Sequence, residues 1–199
     1  MLKIGITGGI GSGKSVICKI INILGISIYS ADERAKFLIN NNRAIQIEIK
    51  KTFGEGSFNT TGYNTKYISG LVFKNSGLLE RLNAIVHPYV LIDFEAWCKK
   101  QSHSKYIVHE SAVLINSAAN KAIDRMIVVD APMELRIDRL KNRDGLTEKE
   151  IRNRIDKQLT VEKFNLIADW IIYNDETNLV IPQVLKVHEQ ILKLASTNG

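Results

Sequence analysis

Apolar residues follow two rhythms along this chain. Five short runs are almost continuous and rich in β-branched residues: 2–7 (LKIGIT), 26–29 (ISIY), 105–109 (KYIVH), 126–131 (MIVVDA) and 169–173 (DWIIY). Strands covered on both faces read this way, because neither face needs polar side chains. Between these runs the apolar residues recur every three or four positions, the period of an amphipathic helix. The alternation predicts an α/β fold with a five-stranded, mainly parallel sheet.

One gap is long. About 75 residues, 30–104, separate the second and third runs and read as helical, notably in NTKYISGLVFK and LLERLNAIVHPYVLIDFEAWCKK. FGEGSFNTTG and NSG punctuate the stretch. A segment of that length predicts a helical subdomain inserted at the strand ends. His87-Pro88 within it predicts a kink or a helix boundary, because proline disfavours the α conformation at the residue before it. A second insertion candidate, 136–157, holds eight bases and five acids. In it Thr147 and Glu150 have the spacing of a capping box. The last helix is expected to begin near Thr177 and Asn178, with Pro182 in its first turn. Its expected apolar stripe is Ile181, Val184, Leu185, His188, Ile191 and Leu192, with His188 as packing.

The chemistry begins after the first run. GGIGSGKS, residues 8–15, matches G-x-x-x-x-G-K-[ST] through Gly8, Gly13, Lys14 and Ser15. It lies between a strand and a helix, the context in which the motif binds phosphate. Backbone N–H groups of Gly8, Gly9, Ile10, Gly11, Ser12, Gly13, Lys14, Ser15 and Val16 are expected to cradle phosphates at a helix N-terminus. Lys14 would reach the outer phosphates, and the Ser15 hydroxyl would ligate Mg²⁺. The alternative is a glycine turn that only caps a helix. No D-x-x-G occurs, and NKAID (120–124) is one residue too long for N-K-x-D, so a GTPase switch is not expected.

YSADE, residues 29–33, admits two readings. Ser30 and Glu33 have capping-box spacing, which makes Asp32 a favourable first-turn charge. It also ends the second apolar run, where open α/β sheets place ligand chemistry. Asp32 is then a candidate catalytic base. Arg139 and Arg143, at i and i+4, are either nucleotide ligands or a solvated helix face. Asp130 and Glu110 both end strands and are rival acids for a site near Mg²⁺. His103 and His109 lack ligand spacing, so no transition-metal site is expected.

Composition narrows the class. The chain has 199 residues, a net charge of +6 and 45% hydrophobic residues, which suits one compact unit with inserted subdomains. The Lys and Arg residues are interspersed with acids, so phosphate-rich small molecules are expected as partners and nucleic acid is not. No apolar run approaches the roughly 18 residues of a membrane span, and the start lacks a secretory pattern. Cys18 and Cys98 have no CxxC spacing and read as buried free thiols in a reducing cytoplasm.

Several motifs together resemble the dephospho-coenzyme A kinase family, over nearly the whole chain. TGGIGSGKS has the family form from Thr7 onward, and Asp32 matches its catalytic acid. LNAIVHP (82–88) resembles its Leu-Asn-x-x-x-His-Pro signature. DRLKNRDGLT (138–147) places Arg139 and Arg143 at its lid arginines. RIDKQLT and ADWIIYND match its closing segments, including Gln158, Ala168, Asp169 and Asn174. The chain departs from the family at Ser30, where an aspartate is usual, and at Ala112 and Asn116, where proline and glutamate are usual.

The resemblance implies a nucleotide-kinase-like fold with a core of 1–30, 103–135 and 159–199. A helical acceptor-binding insertion would cover 31–102 and a helical lid 136–158. It implies ATP-dependent phosphorylation of the ribose 3′-hydroxyl of dephospho-CoA in the cytoplasm. Mg²⁺ would be the cofactor, with no nucleic-acid or membrane partner, in a monomer or weak homo-oligomer. Lys14, Asp32 and Arg139 would be catalytic. The phosphate loop, Arg139 and Arg143 would hold ATP, with Asp32, His87 and Pro88 at the acceptor. A kinase for another small acceptor, such as a nucleoside monophosphate, is the alternative.

Overall fold

The computed structural model describes residues 1–72, 75–111, 122–156, 158 and 161–197. By its internal contacts the chain divides into two units, Met1–Tyr29 with Gln101–Gly199, and Ser30–Lys100.

The first unit is built on a parallel sheet. Its strands are β1 (Leu2–Thr7), β2 (Ile28–Ser30), β5 (Tyr106–Glu110), β6 (Arg125–Asp130) and β7 (Trp170–Tyr173). Among the described residues they lie in the order β2-β5-β1-β6-β7. β1 therefore sits in the middle, with Ile4 opposite Val108 on one side and Gly5 opposite Met126 on the other. All five predicted strands form. The second starts later than expected, at Ile28, although the Ser27 carbonyl already accepts the Val108 N–H.

Helices cover both faces, which is why the strands could be continuously apolar. On one face α1 (Lys14–Ile23) and α9 (Val180–Thr197) bury Ile17, Cys18, Ile21, Val184, Val187 and Ile191 against Ile4, Ile6, Val108, Ile127 and Val129. Elsewhere Phe164 of α8 (Val161–Ile167) packs on Met126 and Val128. Between β6 and α8 lie α6 (Met133–Asp144) and α7 (Glu148–Ile155), joined by their own cluster of Ile137, Leu140, Ile151 and Ile155. The expected capping box forms at the start of α7. Thr147 accepts the Glu150 N–H, and Glu150 accepts the Thr147 N–H at 2.9 Å.

α9 departs from its expected register. It begins at Val180 because the Asp175 carboxylate takes the N–H groups of Thr177 and Asn178, making a turn there instead of a helix. The buried stripe is Val184, Val187 and Ile191, while Ile181 and Leu185 face solvent. Burial of that stripe fixes the rotation, and Gln183 in the first turn bonds both the N–H and the carbonyl of Tyr173, each at 2.9 Å. His188 does pack, and its Nδ1 also meets the Tyr106 hydroxyl at 2.7 Å.

The second unit is mostly helical: α2 (Ala31–Asn41), α3 (Arg43–Phe53), α4 (Thr65–Val72) and α5 (Ser76–Lys99). Ile39, Ile45, Ile49, Phe53, Ile68, Val90 and Phe94 are buried in it. Arg34 of α2 forks onto Asp93 of α5 at 2.8 and 2.6 Å. Asn75 caps α5 by accepting the Gly77 N–H. Residues 58–63, expected as a break, instead form a small antiparallel pair, β3 (Phe58–Asn59) and β4 (Gly62–Tyr63).

Of the two readings of His87-Pro88, the helix boundary does not form: α5 runs through it without ending. Proline removes one helical hydrogen bond there, and the turns on either side hold the helix together. Ser30 is the N-cap of α2, but its side chain makes no capping bond to that helix. The departures at Ala112 and Asn116 lie outside the described residues.

Candidate active site

The phosphate loop leaves β1 at Thr7 and enters α1 at Lys14. Gly13 is the N-cap of α1 with φ of 92°, a left-handed conformation that a residue with a Cβ resists. No side chain caps this helix, and its first turn holds no acid. The Val16 N–H already donates to the Gly13 carbonyl at 2.9 Å, so the positive dipole end and the N–H groups before Val16 are what this helix start presents to an anion. Ser15 and Val16 stand exposed in this first turn. The Lys14 ammonium folds back over the loop and donates to the carbonyls of Gly8 at 2.8 Å and Gly9 at 3.2 Å.

The loop is gripped from three later elements. A Cβ at Gly8 would collide with the Val129 carbonyl of β6. Gly9 lies against the guanidinium of Arg136 in α6, and Gly11 against the Arg136 backbone. Arg136 Nε donates to the Ile10 carbonyl at 2.9 Å. The Ile10 N–H donates to Gln158 Oε1 at 2.7 Å, and the Ile10 side chain packs on the α6–α7 cluster. After β7, Asn174 Nδ2 donates to the Ser12 carbonyl at 2.9 Å and abuts Gly13.

Charges gather around this loop. Arg139 Nη2 donates to the Asn174 carbonyl at 3.0 Å and pairs with Glu176 at 3.4 Å. Its Nη1 is buried and has no hydrogen-bond partner among the described residues. That leaves a strong donor unused beside the helix start. Glu110, at the end of β5, raises the Cys18 thiol while Lys14 lowers it, although burial is the largest cause and carries the thiol up to about 12. Asp130, at the end of β6, spends one carboxylate oxygen on the Ala131 N–H at 2.8 Å. Among the described residues no cluster of three His, Cys, Asp or Glu forms a metal cage. An exposed serine beside a phosphate cradle still fits Mg²⁺, which keeps waters and phosphate oxygens as ligands.

A glycine loop and an uncapped helix start after the middle strand of a parallel sheet suit phosphate, and comparison with known proteins narrows the class. The family model for dephospho-CoA kinase matches residues 2–179. The chain belongs to the dephospho-CoA kinase family.

Two similar members of that family are the dephospho-CoA kinases of Bacteroides fragilis strain YCH46 and Porphyromonas gingivalis. The first is 34% identical over 186 residues, covering 94% of this chain and 91% of the relative. The second is 34% identical over 194 residues, covering 96% and 95%. Among solved structures, the dephospho-CoA kinase from Campylobacter jejuni superposes with a TM-score of 0.69 at 25% identity, covering 96% of this chain and 97% of that one. A Thermus thermophilus protein reaches a TM-score of 0.80 at 26% identity, covering 95% and 96%.

The residues suggested by the family resemblance fall into separate places. Arg139 joins the phosphate loop. Arg143, one turn on, is exposed and forks onto Asp144 at 2.7 and 2.9 Å. In the helical unit, Asp32 is an exposed first-turn acid of α2. His87 is half-buried in α5, and burial lowers its pKa. Arg136 was visible in the sequence only as one base among eight. Its place in the helix that follows β6, the strand beside β1, was the one available signal.

Proposed function

We propose that this chain transfers the γ-phosphoryl group of ATP to the ribose 3′-hydroxyl of dephospho-CoA, giving CoA and ADP in the last step of coenzyme A synthesis. One observation carries the reading: an uncapped helix start behind a braced glycine loop, in a chain that matches the family over residues 2–179.

Phosphoryl transfer asks for positioning and charge neutralisation rather than covalent help from the protein. Within residues 8–16 the N–H groups of Ile10, Ser12 and Val16 already serve Gln158 and the carbonyls of Gly9 and Gly13, contrary to the expectation for them, and the other loop N–H groups hold the β- and γ-phosphates. Lys14 exchanges the carbonyls of Gly8 and Gly9 for phosphate oxygens. Arg139 brings its spare Nη1 donor to the transferring group, where the planar fork of arginine suits phosphate. The Ser15 hydroxyl would hold Mg²⁺, which would supply neutralisation of phosphate charge. Asp32 accepts or orients the proton of the attacking hydroxyl.

The unit Ser30–Lys100 takes the acceptor, with His87 and Pro88 in its longest helix. Within residues 136–158, Arg136 and Gln158 stay anchored to the phosphate loop, and the part between them acts as the lid, with Arg143 leaving Asp144 when it closes. Water is excluded at that point, which limits idle ATP hydrolysis. The buried thiols of Cys18 and Cys98, which form no disulfide, suit a cytoplasmic enzyme.

The test is direct. Protein incubated with ATP, Mg²⁺ and dephospho-CoA should form CoA and ADP in equal amounts, resolved by chromatography. AMP or shikimate as acceptor should give no product. Asp32→Asn keeps the shape and should lower kcat by about 10²- to 10⁴-fold. Near-normal turnover by that variant would remove Asp32 from the chemistry.

A further inference from the structure

Arg136 is 6% exposed, so its cation is almost wholly withdrawn from water. Its partners are neutral: the Ile10 carbonyl at 2.9 Å and Gln158 Oε1 at 3.4 Å. No ion pair to it forms among the described residues. Asp130 supplies a favourable field, while burial lowers the pKa and is the larger influence. An arginine does not escape this cost by losing its proton. A buried cation without a matched anion is expensive. Its position is therefore informative. The guanidinium lies against Gly9, and the Arg136 backbone lies against Gly11. The charge is thus set directly against the loop proposed to hold phosphate.

We propose that Arg136 is a positioning residue that braces the phosphate loop and carries a buried charge matched by the nucleotide polyphosphate. It does so without touching the ligand, through the Ile10 peptide that it shares with Gln158. Gln158 Oε1 accepts both the Ile10 N–H and Arg136 Nη2, so one neutral oxygen ties loop and cation together. The empty enzyme bears the cost of the unmatched charge, and nucleotide binding relieves it. This inference rests on the reading of residues 8–16 as an ATP site.

Isothermal titration with ADP at several salt concentrations, alongside thermal unfolding of the nucleotide-free enzyme, tests it. Arg136→Gln removes the charge and keeps a hydrogen-bonding side chain. ADP affinity should fall about tenfold or more, its salt dependence should become shallower, and the melting temperature of the free enzyme should hold or rise. An ADP affinity within about twofold of wild type would overturn the proposal. So would an unchanged salt dependence joined to a lower melting temperature, the mark of packing alone. If Arg136→Gln does not fold, Arg136→Lys decides, because it keeps the charge and loses the fork. Affinity within about threefold supports a charge role, and a loss of about tenfold or more rejects it. Failure of the wild-type enzyme to bind ADP would sink the nucleotide-site reading itself, a result distinct from wild type and variant binding equally well.

Discussion

Gly8 abuts the Val129 carbonyl, Gly9 the Arg136 guanidinium, Gly11 the Arg136 backbone and Gly13 the Asn174 amide. The glycine spacing thus answers to neighbouring protein as much as to phosphate. The motif could be read from residues 8–15 alone. Its brace could not, because Arg136 and Gln158 are 126 and 148 positions away from Ile10. At the same scale, His109 makes a pH prediction. It is buried in β5 with its ring stacked on Tyr29 at 5.3 Å, and burial lowers its pKa from 6.5 to about 4. Between those values the unfolded chain binds more protons than the folded one, so stability falls as pH falls. Urea unfolding should show a loss of about 2 kcal/mol from this group between about pH 7 and pH 5. His109→Gln should flatten that slope; an unchanged slope would exclude His109 as its source. His87 and His188, also lowered by burial, add in the same direction.

Among the elements, α5 invites a substitution. Proline in a helix interior costs roughly 3 kcal/mol relative to alanine, less where the helix has adapted. Pro88→Ala should therefore raise the melting temperature. If His87 and Pro88 form part of the acceptor site, the KM for dephospho-CoA should rise while the KM for ATP holds. A variant that is stabilised with both constants unchanged would leave Pro88 without an acceptor role. The strands were legible because a sheet covered on both faces shows as continuous apolar runs. α9 was legible as a helix but not in its rotation, because the apolar residues Ile181 and Leu185 on its surface blur the stripe of Val184, Val187 and Ile191 that meets the sheet. The β3–β4 pair was missed because strands of two residues carry no period. The cap at Ser30 failed for a related reason. Capping-box spacing permits the bond, and only the local geometry makes it.

Over the whole molecule, the net charge is +6 and both proposed substrates are polyanions. Screening shortens the reach of such charge to about 10 Å at 0.1 M salt. Raising salt from about 0.05 M to about 0.5 M should raise both KM values with a smaller effect on kcat, as measured by initial rates. Equal KM values at both salts would confine recognition to groups in direct contact with the ligands. The helical unit is one uninterrupted stretch, whereas the sheet unit is assembled from both ends of the chain.

That division has a consequence for biosynthesis. β1 and its glycine loop are translated before the helical insertion, yet β5 and β6, the strands on either side of β1, follow the whole of it. The last grip on the loop, from Asn174 to Ser12, spans 162 positions. A nascent chain carries its phosphate motif for most of its synthesis without the parts that shape it. The last of those parts to be made is the segment after β7 that carries Asn174.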